Sequence, residues 1–247
     1  MKLSGKVALV TGGAHRVGKA IALALANEGM NVLIHYGGSA AAAEETVAEI
    51  AALGVEADKA QADLSQPEDI ERLFGVVRER FGRLDVLVNS AANFYKHDFL
   101  EATLEDWQQV MQVNLRAPFL CSQQAARLML EDGGGVIVNI TDLFGMTPRQ
   151  GFPLHSISKA GLIMLTRVSA LSLGPDIRVN AIAPGAILPP ASHDAAAWDR
   201  MGEVLPVRRT GDPGNVGAAV VHLVRNDFIT GHVLVVDGGE SLLGPFS

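Results

Sequence analysis

Three ionisable residues in the second half of the chain have the chemistry and the spacing to transfer a proton. His155 and Lys159 lie four residues apart in a segment with a helical pattern, so their side chains would share one face of a helix. Asp142 follows a short apolar segment that is typical of a buried strand, which would place it at the carboxyl edge of a sheet. Because free imidazole titrates at about pH 6.5, a histidine is well suited to act as an acid near neutral pH.

The charge on His155 depends on which of these neighbours lies closer to it. The Asp142 carboxylate favours an imidazolium, which could donate a proton, whereas the Lys159 ammonium disfavours it. A neutral imidazole could only polarise a bound group through its N–H. The residue types leave both states open.

A glycine-rich turn near the amino terminus predicts a nucleotide site. Residues 11–18 read TGGAHRVG, follow a strand-like apolar segment and precede a helical pattern. Glycines in this context let the backbone turn tightly and approach a pyrophosphate, which the free N–H groups of the helix N-terminus then stabilise. We therefore expect cofactor contacts from Gly12, His15, Arg16 and Val17.

The residues that follow the second strand indicate which dinucleotide would bind. Residues 35–39 read HYGGS, and the next carboxylate is Glu44. An acidic residue at this position would bind the ribose 2′-hydroxyl of NAD, whereas Tyr36 offers no charge to repel a 2′-phosphate. Arg16 and Ser39 can contact such a phosphate. The pattern predicts NADP(H) rather than NAD(H).

Strand and helix patterns alternate along the chain and predict one fold that could position these residues. Strands are expected at residues 6–11, 31–36, 55–62, 84–89, 135–141, 177–183 and 233–237. Helices are expected at 17–28, 39–53, 67–81, 103–130 and 153–173. This order predicts an α/β fold, a single-domain doubly wound (Rossmann) parallel sheet over residues 1–247 with helices on both faces. The stretch 184–213 is expected to be irregular, with a lid-like segment at about residues 186–212.

The composition of the chain indicates in which compartment the protein acts and which classes of partner it does not bind. The net charge of −7 argues against binding to nucleic acid, and the longest apolar runs are too short to span a membrane. One cysteine, the absence of a signal-peptide pattern and the lack of paired metal-ligand spacing predict a cytoplasmic protein without a metal. We expect a small-molecule substrate.

The motifs together resemble the short-chain dehydrogenase/reductase family over essentially the whole chain. They are the glycine turn, Asp63-Leu64, residues 89–92 (NSAA), Asn114, Lys159, Pro184-Gly185 and residues 237–239 (DGG). The resemblance implies that Asp63, with Leu64, binds adenine, and that Asn89 and Ala91 border the adenosine ribose. It also implies that Pro184, Gly185 and Ile187 cover the nicotinamide, that Lys159 binds the nicotinamide ribose, and that Asn114 holds a water in a proton path.

Within that family the chain is most similar to the pteridine reductase branch. Arg16, His35-Tyr36, Phe94 and Asp142 match that branch, although its arginine near Gly38 is missing. The resemblance implies that Phe94 stacks on the substrate ring and that Arg16 also contacts the substrate. His155 stands where the family has its catalytic tyrosine.

These observations predict an NADPH-dependent oxidoreductase that reduces a carbonyl or pterin-like imine by hydride transfer, with His155 and Asp142 supplying the proton. A 3-oxoacyl or sugar/alcohol type reductase is one alternative, and a low-turnover NADP(H)-binding sensor or scaffold is another. The predicted helix at 153–173 carries only three ionisable groups and needs more cover than one sheet offers, which predicts a homo-oligomer. The resemblance implies a homotetramer.

Overall fold

Seven parallel strands form one sheet in the computed structural model, which describes residues 2–189 and 195–243. The strands are β1 (Val7–Thr11), β2 (Asn31–Tyr36), β3 (Ala57–Gln61), β4 (Val86–Asn89), β5 (Gly135–Ile140), β6 (Ile177–Pro184) and β7 (Val233–Val236). Their order in the sheet is β3-β2-β1-β4-β5-β6-β7. The chain therefore crosses from one half of the sheet to the other between β3 and β4, and the predicted fold class is confirmed.

Helices cover both faces of this sheet. They are α1 (Arg16–Asn27), α2 (Ala40–Ala51), α3 (Pro67–Phe81), α4 (Leu104–Met111), α5 (Ala117–Glu131), α6 (Pro153–Leu173), α7 (Ala195–Val204) and α8 (Pro213–Arg225). Alternate side chains of a strand point to opposite faces. In β1, Ala8 and Val10 pack in a core with α1, α2 and α8, whereas Val7 and Leu9 pack in a second core with α3 and α5. The central strands β1, β4 and β5 are buried along their whole length and are predominantly apolar, whereas the edge strand β3 carries Asp58 and Lys59.

The expected helical region at 103–130 is confirmed, and a π-helical turn at Gln112–Arg116 joins α4 to α5 within it. Pro118 has no N–H to donate to the Asn114 carbonyl, which an α-helix would require at this position. The Ala117 N–H instead bonds the carbonyl of Gln112, five residues earlier. The wider turn places the Asn114 side chain inside the protein, where it is fully buried.

Two helices lie where the sequence analysis expects none. The helix α7 falls inside the stretch predicted to be irregular, and its short apolar pattern is obscured by the prolines that flank it. The helix α8 begins at Pro213 after an Asp212 cap that accepts a hydrogen bond from the Gly214 N–H. Residues 190–194 of the expected lid-like segment lie outside the described residues. Across the part of the chain that is described, no helix has the length and apolarity needed to cross a membrane.

Candidate active site

A cavity of about 920 Å³ opens at the carboxyl ends of the strands, beside the point where the strand order reverses. This volume is typical of cofactor and small-molecule sites. Most of the predicted site residues line it: Gly12, His15, Arg16, Val17, Asp63, Leu64, Ala91, Phe94, Asp142, His155, Lys159, Pro184, Gly185 and Ile187. Parallel strands end at one edge of a sheet, which explains why residues so far apart in the sequence meet there.

The turn between β1 and α1 has the geometry of a phosphate site. Gly12 has a positive φ of 65°, and Gly18 lies so close to the Gly12 carbonyl that a Cβ would come within 2.1 Å of its oxygen. His15 precedes α1, and its side chain makes no capping hydrogen bond to the helix. The first N–H groups of α1 therefore remain available to an anion in the cavity.

His35 also lines the cavity, although the sequence analysis did not assign it to the site. The Gly12 N–H donates to its Nδ1 at 3.0 Å, and its Nε2 lies 3.0 Å from the Ala62 carbonyl oxygen. The sequence does carry one signal that could have assigned His35 to the site, because this histidine ends a predicted buried strand. The contacts themselves involve two other strands, so their spacing in the sequence does not show them.

Three predicted cofactor residues do not line the cavity. Asn89 is buried and donates to the Asn139 side chain at 2.8 Å, which joins β4 to β5. Tyr36 packs against the core, and Ser39 lies exposed before α2.

Arg16, which does line the cavity, has a positive φ of 54° and donates to the Pro189 carbonyl at 3.4 Å, so it connects the glycine turn to the start of the lid-like segment.

His155 lies buried on α6, with its two ring nitrogens in different environments. Nδ1 lies 3.3 Å from the backbone carbonyl oxygen of Asn93. A carbonyl can only accept, so Nδ1 carries the hydrogen. Nε2 has no hydrogen-bond partner among the described residues and lies 3.6 Å from Oδ2 of Asp142. The free nitrogen of His155 therefore faces the carboxylate.

Asp142 is fixed by the short 3₁₀ helix that follows β5. Its Oδ1 accepts the Phe144 N–H at 2.8 Å. This cap uses one carboxylate oxygen and leaves Oδ2 beside His155. Both the capping role and the proximity to His155 are thus present in one side chain.

Lys159 is almost completely buried one helical turn from His155. Its Nζ donates to the Ile140 carbonyl at 2.9 Å. Burial lowers the pKa of the Lys159 ammonium to about 8, although the negative charge of Asp142 opposes this shift. The lysine therefore still carries its proton for most of the time at neutral pH.

Asn114 lies behind the cavity and does not line it. Its Oδ1 accepts the Asn93 N–H at 2.7 Å, and its Nδ2 donates to the Asn93 carbonyl at 2.9 Å and to Ser158 Oγ at 3.1 Å. Both Nδ2 hydrogens of Asn114 therefore donate to acceptors of the protein itself. Asn114 therefore holds the same peptide group that accepts the hydrogen bond from His155.

Three phenylalanines form a cluster beside His155, and two of them contact its ring. The Phe94 ring stacks on Phe152 at 4.7 Å between centroids and meets His155 edge-on at the same distance. Phe144 lies 6.0 Å from the His155 ring. Phe94 is still half-exposed and lines the cavity. Phe144 and Phe152 are not predictable as site residues from the sequence, because only the folded loop before α6 brings them to Phe94.

The described residues contain no group of three or more His, Cys, Asp or Glu side chains that could hold a metal ion.

Comparisons with known proteins identify reductases, and several of the relatives are 3-oxoacyl-[acyl-carrier-protein] reductases, so the expected pteridine reductase branch is not confirmed. The sequence profile described as Enoyl-(Acyl carrier protein) reductase matches residues 12–241. A 3-oxoacyl-[acyl-carrier-protein] reductase from Synechocystis sp. is 39% identical, over 96% of this chain and 97% of that protein. The structure of FolM alternative dihydrofolate reductase 1 from Brucella canis, complexed with NADP, is 33% identical with a TM-score of 0.91, covering 99% of this chain and 98% of that one. A short-chain dehydrogenase from Burkholderia cenocepacia J2315, in complex with NADP, is 38% identical with a TM-score of 0.89, covering 97% and 99%.

Proposed function

Because the chain belongs to the short-chain dehydrogenase/reductase family, we propose that it is an NADPH-dependent oxidoreductase that reduces a carbonyl group, with His155 and Asp142 supplying the proton. The observation that carries this proposal is the buried Nε2 of His155, which faces Asp142 and the cavity without a protein partner. An unpartnered buried nitrogen at this position is suited to bind the oxygen of a substrate.

The described residues fit NADP(H). The uncapped N-terminus of α1 and the close approach of Gly12 and Gly18 suit a pyrophosphate, and Tyr36 offers no carboxylate against a 2′-phosphate. Solved relatives that resemble the chain closely contain NADP or NADPH. When bound, the nicotinamide supplies the hydride that the reduction requires.

His155 can donate a proton from Nε2 only as an imidazolium. Its Nδ1 hydrogen is bound to the Asn93 carbonyl, so the neutral ring has a bare Nε2, which can accept a hydrogen bond but cannot donate one. The expectation that a neutral His155 polarises the substrate through an N–H does not hold for this orientation. The Asp142 carboxylate, with Oδ2 at 3.6 Å from Nε2, lies within ion-pair distance of that imidazolium. After donating to the carbonyl oxygen, His155 is neutral and takes up a proton from solvent.

The same geometry permits the reverse reaction. A neutral His155 with a bare Nε2 can accept the proton of an alcohol as that alcohol is oxidised. Lys159 lines the cavity and keeps its positive charge for most of the time at neutral pH. The family resemblance assigns this side chain to the nicotinamide ribose. In this scheme the charged form of His155 serves reduction and the neutral form serves oxidation.

We assign a ketone carried on an acyl thioester as the first substrate class. Several relatives that extend over nearly the whole chain are named 3-oxoacyl-[acyl-carrier-protein] reductases. A pterin-like imine is the second candidate, because Phe94 is half-exposed at the cavity and could stack on a planar ring. The FolM structure from Brucella canis supports keeping this second class.

The test is NADPH oxidation measured with a 3-oxoacyl thioester, a dihydropterin, a sugar ketone and a simple ketone, each over a range of concentrations. The thioester is expected to give the highest kcat/KM. A higher value for the dihydropterin would replace the first substrate class with the second. Tight NADPH binding without turnover of any member of the panel would indicate a sensor or scaffold and contradict the enzymatic proposal.

A further inference from the structure

The side chain of His35 is a buried titratable group that takes no part in the proton transfer described above. It lies at the carboxyl end of β2 and is 3% exposed. It lines the same part of the cavity as Gly12, Gln61 and Asp63, away from His155. In a fold of this kind that part receives the adenosine half of a dinucleotide.

The hydrogen positions on the His35 ring follow from its two partners. The Gly12 N–H can only donate, so Nδ1 at 3.0 Å must be bare. The Ala62 carbonyl can only accept, so Nε2 at 3.0 Å must carry the hydrogen. The bonds shown thus require a neutral ring. A protonated ring would direct a second N–H at the N–H of Gly12.

The Gly12 peptide is held closely by its surroundings. The Gly13 N–H donates to the His35 carbonyl at 3.0 Å, so both the backbone and the side chain of His35 hold the glycine turn. A Cβ on Gly12 would lie 3.0 Å from the Cα of Ala91, which leaves little room for the turn to shift toward β4. His35 therefore determines where the backbone that faces the pyrophosphate lies relative to β2 and β3.

We propose that His35 is a positioning residue for NADP(H), and that protonation of its ring loosens the glycine turn and weakens cofactor binding. The inference rests on the proposed function, because it requires NADP(H) in this cavity. It adds a dependence of cofactor affinity on pH that is separate from the proton step at His155.

The charges near His35 come from three elements. Asp63, after β3, acts on the ring directly, whereas Asp69 and Arg72 of α3 pair with each other. His15 and Arg16 belong to the glycine turn and line the same cavity. Burial lowers the pKa of the His35 imidazole, and the Ala62 hydrogen bond and Asp63 offset only part of this effect. The ring is therefore neutral at pH 7 and becomes protonated only on acidification.

The test compares the dissociation constant of NADP⁺ in three proteins between pH 5 and pH 8. In His35→Asn, the amide oxygen can replace Nδ1 as the acceptor for Gly12 but does not titrate. His35→Leu removes the acceptor. At pH 7.5 we expect His35→Leu to bind NADP⁺ about tenfold more weakly, the effect of leaving one buried N–H unpaired, and His35→Asn to recover most of this loss. His222→Asn, on the exposed side of α8, is the matched control and should bind as the unmutated protein does.

The decisive measurement is the affinity of the unmutated protein divided by that of His35→Asn at each pH. The 2′-phosphate of the ligand titrates in the same range but cancels in this ratio. We expect the ratio to fall as the pH decreases from 7 to 5, and a constant or rising ratio would overturn the proposal, even if His35→Leu does not fold. Failure of the unmutated protein to bind NADP⁺ at any pH would instead overturn the proposed function.

Discussion

The proposed mechanism assigns proton donation to the imidazole of His155, at the position where the family resemblance has a tyrosine. A tyrosine at this position must be made more acidic by its surroundings, which the family resemblance attributes to the neighbouring lysine. The His155 ring is instead held by two other contacts, the Asn93 carbonyl at Nδ1 and the Asp142 carboxylate near Nε2. In the proposed mechanism, Nε2 takes over the proton donation of the tyrosine hydroxyl.

We expect His155→Phe to slow reduction by about 10²–10⁴-fold, the range for loss of a general acid, while NADPH affinity stays unchanged. The phenyl ring keeps the edge-on contact with Phe94 but carries no proton. In the unmutated protein kcat/KM should decline as rising pH removes the imidazolium. The measurement is steady-state kinetics with the best substrate from pH 5 to pH 9.

His155→Tyr is the matched control, since it restores the hydroxyl of the family pattern on the same face of α6. Its activity should persist to a higher pH than that of the unmutated protein. Full turnover in His155→Phe would show that the histidine only forms a wall of the pocket. Asp142 would then become the leading candidate for the proton donor.

Lys159 makes the stability of the protein depend on pH. Burial lowers the pKa of the folded-state ammonium to about 8, whereas the ordinary lysine value of 10.5 applies to the unfolded chain. Between these values the unfolded state holds more protons, so the free energy of unfolding rises with pH. Relative to Lys159→Met, the unmutated protein should gain up to about 1.4 kcal/mol per pH unit in this window.

Urea denaturation of both proteins at pH 7, 8, 9 and 10 measures this difference. Only the comparison between the two proteins is interpreted, because other groups titrate equally in both. A difference that does not change with pH would mean that Lys159 is not perturbed by burial.

Among the elements, those with a complete local pattern were predictable. The continuous apolar strands and the boundaries of α3 and α6 follow from residues within each segment. The π-helical turn does not follow from its own segment, because it combines the missing N–H of Pro118 with the burial of Asn114 against Asn93.

In the site, too, the residues whose positions depend on one local pattern were predictable. Asp142, His155 and Lys159 meet because a strand end and a helix face determine their places, whereas the role of His35 depends on Gly12 and Ala62 from other strands.

Arg178 on β6 stabilises the end of α8. Its guanidinium donates to the carbonyls of Leu223 and Val224, both at 2.9 Å, and to that of Ile229 at 3.0 Å. The first two belong to the last turn of the helix, where carbonyls have no helical partner. Arg178→Met should lower the free energy of unfolding by about 2–4 kcal/mol, because several partly buried acceptors lose a charged donor.

Chemical denaturation of Arg178→Met beside Arg80→Met checks this prediction. Arg80 forms an exposed ion pair with Asp58 at 2.6 Å, and its loss should cost less than about 1 kcal/mol. Equal effects in the two variants would show that the Arg178 contacts add nothing beyond an exposed ion pair.

At the scale of the whole molecule, α6 has an apolar face that one subunit does not cover. Ile157, Met164, Val168 and Leu171 recur at helical spacing and are each 43–88% exposed. Near this face, α4, α5 and the turn between them form an apolar groove with Leu165 of α6, lined by Trp107, Met111, Leu115 and Phe119 among others. Contiguous apolar surface of this kind is typical of subunit interfaces.

We expect a homo-oligomer, because pairing of α4, α5 and α6 between subunits would bury this surface. The family resemblance sets the expected mass in solution at four times the subunit mass of 26.1 kDa. Val168→Glu places a charge at the centre of the exposed face and should shift the mass toward smaller assemblies at micromolar concentration. Leu53→Glu, a comparably exposed leucine after α2, should leave the mass unchanged. Light scattering coupled to size exclusion measures all three proteins. A stable monomer of the unmutated chain would mean that α6 is apolar for another reason, and unchanged assembly of Val168→Glu would place the interface elsewhere.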